Sequence, residues 1–163
     1  PVIEEAKAWG NIPIIAAGGV WDKNDIDKFI AMGCSGVQMA TRFIGTFECD
    51  ADAQFKNVLL NAKAEDIQLM KSPVGLPARG VMTNLQFSIE NKTAPKVQCI
   101  SNCVSPCNRG HEAKIVGYCI ADRLGAAYQG DTQTGLFFSG SNGYRIEKII
   151  SVKELMEKLT KGE

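Results

Sequence analysis

The sequence predicts an α/β protein with parallel strands, and two observations carry this prediction. Residues 12–17 and 36–40 are short apolar runs without alternation, a pattern typical of strands that are buried on both faces. Helix-like segments precede and separate them, which gives the order helix, strand, helix, strand with brief connections. That order favours parallel strands joined by right-handed crossovers.

The composition of the chain argues against nucleic acid and membranes as partners. The chain has 163 residues, of which 45% are hydrophobic, so it can form a core. Lys and Arg together number 18, as do Asp and Glu, so no positive field attracts nucleic acid or an anionic membrane. No apolar run is long enough for a membrane span, and Glu4, Glu5 and Lys7 stand where a signal peptide needs an apolar centre. We therefore predict a cytoplasmic protein with a small-molecule substrate.

The first helix and strand are predicted from the residues that end them. Val2–Trp9 is predicted to be the end of a helix, which stops at Gly10. Ile12–Ala17 follows as a strand, in which Pro13 is tolerable because it lies near the start. The pair Gly18–Gly19 ends the strand.

The second helix has a recognisable start. Asp22 is a candidate N-cap with Asp25 three residues later, and the helix is predicted to end at Gly33. Its apolar stripe comprises Ile26, Phe29 and Ile30. Residues 36–40 then form the second strand, and residues 51–62 a further helix.

The remainder of the chain is less regular. Residues 67–84 are strand-like and then rich in loops, and within them Ser72–Arg79 contains too many Pro and Gly residues for a regular element. Helical spacing returns between Ile115 and Tyr128. Near the end, Ser151–Glu154 is a capping-box pattern that opens a helix to about Thr160.

The loops after the two strands are suited to an anion. In Ala16–Gly19, residues with little or no side chain let backbone N–H groups approach a ligand. In Gln38–Arg42, the Thr41 hydroxyl and the Arg42 guanidinium are additional donors. Phosphate sites are frequent at the carboxyl ends of neighbouring parallel strands. The alternative is that Gly18–Gly19 is only a tight turn and Arg42 a surface cation.

The same residues carry a family resemblance. Ile12–Val20 and Gly36–Phe43 closely resemble the end of the flavin-binding barrel in nitronate monooxygenases, formerly called 2-nitropropane dioxygenases. Flavin-dependent enoyl-acyl carrier protein reductases are similar here. Ser72–Gly75, with Pro77 and Arg79 behind it, matches the segment that follows the barrel in that family.

The resemblance implies a fold and a division of the chain. Residues 1–98 would be the C-terminal part of a TIM (β/α)8 barrel, its last two strand–helix units, with the loop that follows the barrel. Residues 99–163 would form a mainly helical, cysteine-containing extension. The six earlier strands and the catalytic histidine are expected upstream of Pro1, so the fragment is expected to be inactive alone. Its open strand edges are expected to associate, which allows a homo-oligomer.

The resemblance also implies FMN as the cofactor. The residues that it assigns to the FMN phosphate are Ala17, Gly18, Gly19, Gln38, Met39, Ala40 and Thr41. Many relatives have glycine in place of Ala40, whose methyl group permits a less close approach. The implied reaction is oxidation of alkyl nitronates with O2. Reduction of enoyl thioesters by hydride from NAD(P)H stays open, as does a non-catalytic phosphate- or nucleotide-binding module.

The histidine and four of the six cysteines lie in the second half of the chain. His111 is the single histidine and lies far from both glycine-marked loops, so we expect an exposed or capping role rather than catalysis. Cys99, Cys103, Cys107 and Cys119 are spaced so that zinc or an iron–sulfur cluster is conceivable. We nevertheless expect no metal and reduced, non-ligating thiols, with a metal site or a disulfide as the alternatives.

Overall fold

The computed structural model describes residues 1–73, 76–94, 96, 99 and 116–162. The α-helices of these residues include α1 (Val2–Ala8), α2 (Lys23–Ala31), α3 (Thr41–Ile44), α4 (Ala53–Asn61), α5 (Asn84–Glu90), α6 (Ile120–Tyr128) and α7 (Val152–Lys161). The strands include β1 (Ile15–Ala17), β2 (Gly36–Gln38), β3 (Ile67–Met70) and β4 (Ala78–Val81). Short 3-10 turns lie at Ala64–Asp66 and Gly143–Arg145.

The chain divides into two compact units. The first consists of Pro1–Cys49 and Lys148–Glu163, and the second of Asp50–Glu147. The second unit is therefore inserted in the sequence of the first. This division differs from the predicted domains 1–98 and 99–163, whose boundary falls next to residues 97, 98 and 100, outside the described part of the chain. That predicted boundary stays a prediction.

In the first unit, the predicted parallel pairing is confirmed. Ile15 pairs with Gly36 and Ala17 with Gln38. Just before the ladder, the Ser35 N–H donates to the Ile14 carbonyl at 2.8 Å. The helix α2 connects the two strands, so this is the predicted strand–helix–strand order.

The burial predicted for the first strand is wrong for this chain. Ile12 and Ile15 are each 55% exposed, and the regular strand starts only at Ile15. Within the described residues, the sheet that contains β1 has β2 as its only other strand. An apolar strand is buried on both faces only where further strands and helices cover it, and the described residues do not cover both faces.

The caps predicted for α2 and α7 are confirmed. The Asp22 side chain accepts from the Asp25 N–H at 3.1 Å, and the Ser151 hydroxyl accepts from the Glu154 N–H at 3.1 Å. The helix α7 packs against α2 and buries Leu155 completely. The end of the chain thus returns to the first unit and adds a helix beside the crossover helix.

The second unit contains a hairpin that the sequence analysis missed in part. The strands β3 and β4 pair antiparallel, with Ile67 opposite Val81 and Met70 opposite Ala78. Ala78 and Arg79 had been predicted to lie in an irregular loop. Gly80 in β4 is required by packing, because a Cβ there would lie 2.4 Å from the Phe137 carbonyl oxygen.

Behind this hairpin lies the core of the second unit. Leu85, Tyr118 and Leu136 form a buried cluster, and the rings of Phe55 and Phe137 pack with centroids 5.0 Å apart. Partly buried residues against the cluster are Met70, Ile89, Val116, Ile120, Leu124 and Phe138. The helix α5, which contributes Leu85, was not predicted. Of the helical stretch predicted between Ile115 and Tyr128, Ile120–Tyr128 is observed as α6, and Ile115 lies outside the described residues.

Candidate anion-binding site

The two predicted loops start side by side. Because β1 and β2 run parallel and end at the pair Ala17–Gln38, the residues that follow both strands leave the same edge of the sheet. The structure therefore brings together the two stretches that the sequence analysis assigned to one phosphate group.

The first loop needs its glycines for conformation and not for space. Gly18 has φ +87° and Gly19 has φ +74°, and a Cβ added to either would meet no atom within 4 Å. Residues with a side chain rarely adopt such φ values. Both glycines are exposed.

The second loop leads into α3. Gln38 and Ala40 are exposed, whereas Met39 and Thr41 are half-buried. Ala40 is the N-cap residue of α3, and its carbonyl accepts from the Phe43 N–H at 2.9 Å. The exposed methyl group of Ala40 stands on the surface where the resemblance predicts a phosphate contact.

A side chain from the second loop contacts the residue that follows the first. Arg42 donates through Nη1 to the Trp21 carbonyl at 2.8 Å, and its Cζ lies 4.8 Å from the centroid of the Trp21 ring. Trp21 is only 6% exposed. Sequence analysis had treated Arg42 as a phosphate donor or a surface cation, and it had overlooked Trp21.

The carboxylates near the first loop already have partners at or next to the start of α2. The Trp21 N–H donates to Asp25 Oδ2 at 2.9 Å, while the Asp25 N–H donates to Asp22 Oδ1. Lys23 and Asp27 form an ion pair one turn further on. Asp22 and Asp25 therefore already accept backbone N–H groups, and Asp27 is paired with Lys23.

The cysteine and histidine predictions fall mostly outside the described residues. Cys103, Cys107 and His111 lie there, whereas Cys99 is an exposed free thiol and Cys119 a half-buried one at the start of α6. No group of three or more His, Cys, Asp or Glu side chains suited to a metal occurs in the described ranges. The zinc or iron–sulfur alternative stays a prediction.

In the second unit, three residues of the stretch Ser72–Arg79 border a cleft. Ser72, Leu76 and Pro77 line a space of about 450 Å³. Nearby, Tyr118 donates its hydroxyl to the Lys71 carbonyl at 2.6 Å, and burial raises the pKa of Tyr118 to about 12. At neutral pH Tyr118 is therefore a protonated donor and not a base.

Comparison with known proteins points to one family. The family model for nitronate monooxygenase matches residues 1–162. Probable nitronate monooxygenases from Staphylococcus saprophyticus and Staphylococcus aureus are each 35% identical over 71 residues, which is 44% of this chain and 20% of the relative. The match thus spans about a fifth of those relatives.

Solved structures are similar over nearly the whole chain. FabK from Thermotoga maritima superposes with a TM-score of 0.73 at 27% identity, covering 98% of this chain and 47% of FabK. Nitroalkane oxidase from Streptomyces ansochromogenes gives 0.66 at 24% identity, covering 98% of this chain and 42% of that protein. The chain therefore spans less than half the length of these structures.

Proposed function

The chain belongs to the nitronate monooxygenase family, and we propose that it supplies the phosphate-holding end of an FMN-dependent oxidoreductase. The observation that carries the proposal is the pair of loops that leave β1 and β2 at Ala17 and Gln38. The glycine pair is open on one side, and the second loop is linked to the first through Arg42.

The donor set fits a phosphate group. Backbone N–H groups of exposed residues with little or no side chain can surround an anion without a net positive charge. In our proposal the binding segments are Ala17–Gly19 and Gln38–Thr41, in which the hydroxyl of Thr41 adds a side-chain donor. Once bound, the flavin supplies the transfer of electrons, and the protein anchors and orients it.

We further propose that the first unit is the C-terminal part of a TIM barrel. Its element order is that of two strand–helix units, with α7 packed beside α2. Exposure of Ile12 and Ile15 supports the proposal, because barrel strands are covered by neighbouring strands and helices. We assign no catalytic base to the described residues.

The proposed substrate is an alkyl nitronate, which is oxidised with O2.

The proposed location of the protein is the cytoplasm. Among the described helices, none has the length and apolar character needed to cross a bilayer. Free thiols at Cys34, Cys49, Cys99 and Cys119 accord with a reducing compartment.

Flavin retention and oxygen uptake test the activity. In the longest polypeptide that contains this chain, we expect co-purified FMN and oxygen consumption that depends on an alkyl nitronate. Rapid reduction of the flavin by NADPH, with turnover of an enoyl thioester, would instead assign enoyl reduction. If no flavin bound at any concentration, both enzyme functions would fail and a phosphate-binding module would replace them.

A pair of glycine variants tests the place of the phosphate. Gly18→Ala should weaken FMN binding about tenfold, the loss of roughly one hydrogen bond to a charged group, because the loop leaves its left-handed conformation. Gly10→Ala is the matched control: Gly10 belongs to the same unit, has φ +99° and also has open space around an added Cβ. Equal losses in both variants would argue against a phosphate at this loop.

A further inference from the structure

Beyond the end of the β1–β2 ladder, the two loops are linked by one cation and one aromatic residue. The last pair of the ladder is Ala17–Gln38. Past it, Arg42 Nη1 reaches the Trp21 carbonyl at 2.8 Å, and the guanidinium lies 4.8 Å from the indole centroid. The contact joins residues 21 positions apart in the sequence, one following each loop.

The contact combines a hydrogen bond with a cation–π arrangement, which suits a guanidinium group. A guanidinium is planar, so it can donate in its plane to a carbonyl while its face lies against an aromatic ring. Lysine carries a compact ammonium group, which cannot combine these two contacts in the same way. Trp21 is a firm anchor because it is 6% exposed and its N–H donates to Asp25 Oδ2.

The glycines leave the first loop without side chains that could fix its position. An added Cβ at Gly18 or Gly19 meets nothing within 4 Å, so neither residue lies against packed atoms on that side. The Arg42–Trp21 contact lies directly next to both loops. Arg42 comes directly after Thr41, and Trp21 comes two residues after Gly19.

We propose that Arg42 is a positioning residue that sets the spacing of the two phosphate-binding loops through Trp21, and that it does not contact the phosphate itself. This inference rests on the proposed FMN site. In this inference the guanidinium contacts protein atoms, and the backbone N–H groups of the loops contact the phosphate.

The test compares FMN with riboflavin, which lacks the phosphate, as ligands of the longest polypeptide that contains this chain. Arg42→Ala and Arg42→Lys should both weaken FMN binding about tenfold, a typical loss for one hydrogen bond made by a charged group. Riboflavin binding should not change. Lys28→Ala, which removes an exposed positive charge from α2 of the same unit, should leave both affinities unchanged.

Other outcomes separate the alternatives. If Arg42→Lys retained the affinity for FMN while Arg42→Ala lost it, Arg42 would act as a phosphate-binding charge and the inference would be overturned. Equal losses of affinity for FMN and for riboflavin would show that Arg42 is needed only for folding, which would also overturn the inference. If Arg42→Ala does not fold, Arg42→Gln provides a second neutral variant. Unchanged affinity for FMN in all variants would overturn this inference but leave the proposed function standing. A wild-type protein that binds no FMN would overturn the proposed function as well.

Discussion

At the scale of single residues, hydrogen bonds from neighbouring residues set the properties of a side chain. Asp131 shows this after the end of α6, where its carboxylate accepts from the Gln133 N–H and from both the N–H and the hydroxyl of Thr134. These bonds favour the charged form, and the side-chain bond from Thr134 is the largest cause that holds the pKa of Asp131 below its ordinary value.

The lowered pKa of Asp131 predicts a pH-dependent stability. A carboxyl group whose pKa is depressed by folding stabilises the protein above the unfolded-state pKa, and this contribution is lost as pH falls through the folded-state pKa. Thr134→Val should therefore lower the free energy of unfolding more at pH 7 than at pH 2, as measured by urea denaturation. Thr160→Val is the control, because the Thr160 hydroxyl donates to the carbonyls of Met156 and Glu157 and not to a carboxylate. A pH-independent loss for Thr134→Val would contradict this account.

Local signals made several residues predictable. Asp22 and Ser151 were identified as N-caps because each makes its hydrogen bond within three residues. The role of Arg42 was not predictable, since its partner is a backbone carbonyl far away in the sequence and any residue type provides one. The signal that was available for Trp21 was an aromatic residue directly before an N-cap, a position where apolar side chains often pack.

At the scale of elements, helix starts were predicted better than strands. The strand β4 was missed because the Pro and Gly residues within Ser72–Arg79 favour a loop, and its pairing with β3 is not visible in the local sequence. The helix α5 was missed despite a usable signal. Thr83 and Gln86 form a reciprocal capping pair, in which the Thr83 N–H donates to Gln86 Oε1 at 2.9 Å.

The cap of α7 gives a prediction at this scale. Ser151→Ala should lower the free energy of unfolding of the first unit by about 1 kcal/mol, because the Glu154 N–H loses its acceptor. Thermal or urea denaturation measures the change. Ser88→Ala serves as the control, since the Ser88 hydroxyl donates only to the Leu85 carbonyl within α5, where such a bond adds little stability. A neutral Ser151→Ala would show that packing of Leu155 alone holds the helix.

At the scale of the whole molecule, burial was the property that could not be predicted from local patterns. Within the apolar run Ile12–Ala17, Ile15–Ala17 was correctly assigned to a parallel strand, but its coverage depends on elements far from it in sequence. Exposed apolar side chains of the first unit include Val2, Trp9, Ile12, Ile15 and Met32. A surface of this kind is expected to associate in water.

This exposure predicts concentration-dependent association of residues 1–163. We expect the apparent mass to increase with concentration in sedimentation velocity, and Ile15→Asp to reduce the increase because it places a charge on β1. Leu76→Asp is the matched control, since Leu76 is 73% exposed but belongs to the second unit. A monodisperse monomer at all concentrations would count against the proposed barrel fragment.

The point where the chain returns to the first unit has a practical consequence. Thr46 and Ile150 form a parallel bridge, in which the Phe47 N–H donates to the Ile150 carbonyl at 3.0 Å and the Ile150 N–H donates to the Gly45 carbonyl at 3.2 Å. Paired strands lie about 4.8 Å apart, so the bridge holds Thr46 and Ile150, which flank the second unit in the sequence, next to each other. The two segments of the first unit are thus held by contacts with each other, so a proteolytic cut within residues 50–147 is expected to leave Pro1–Cys49 and Lys148–Glu163 associated.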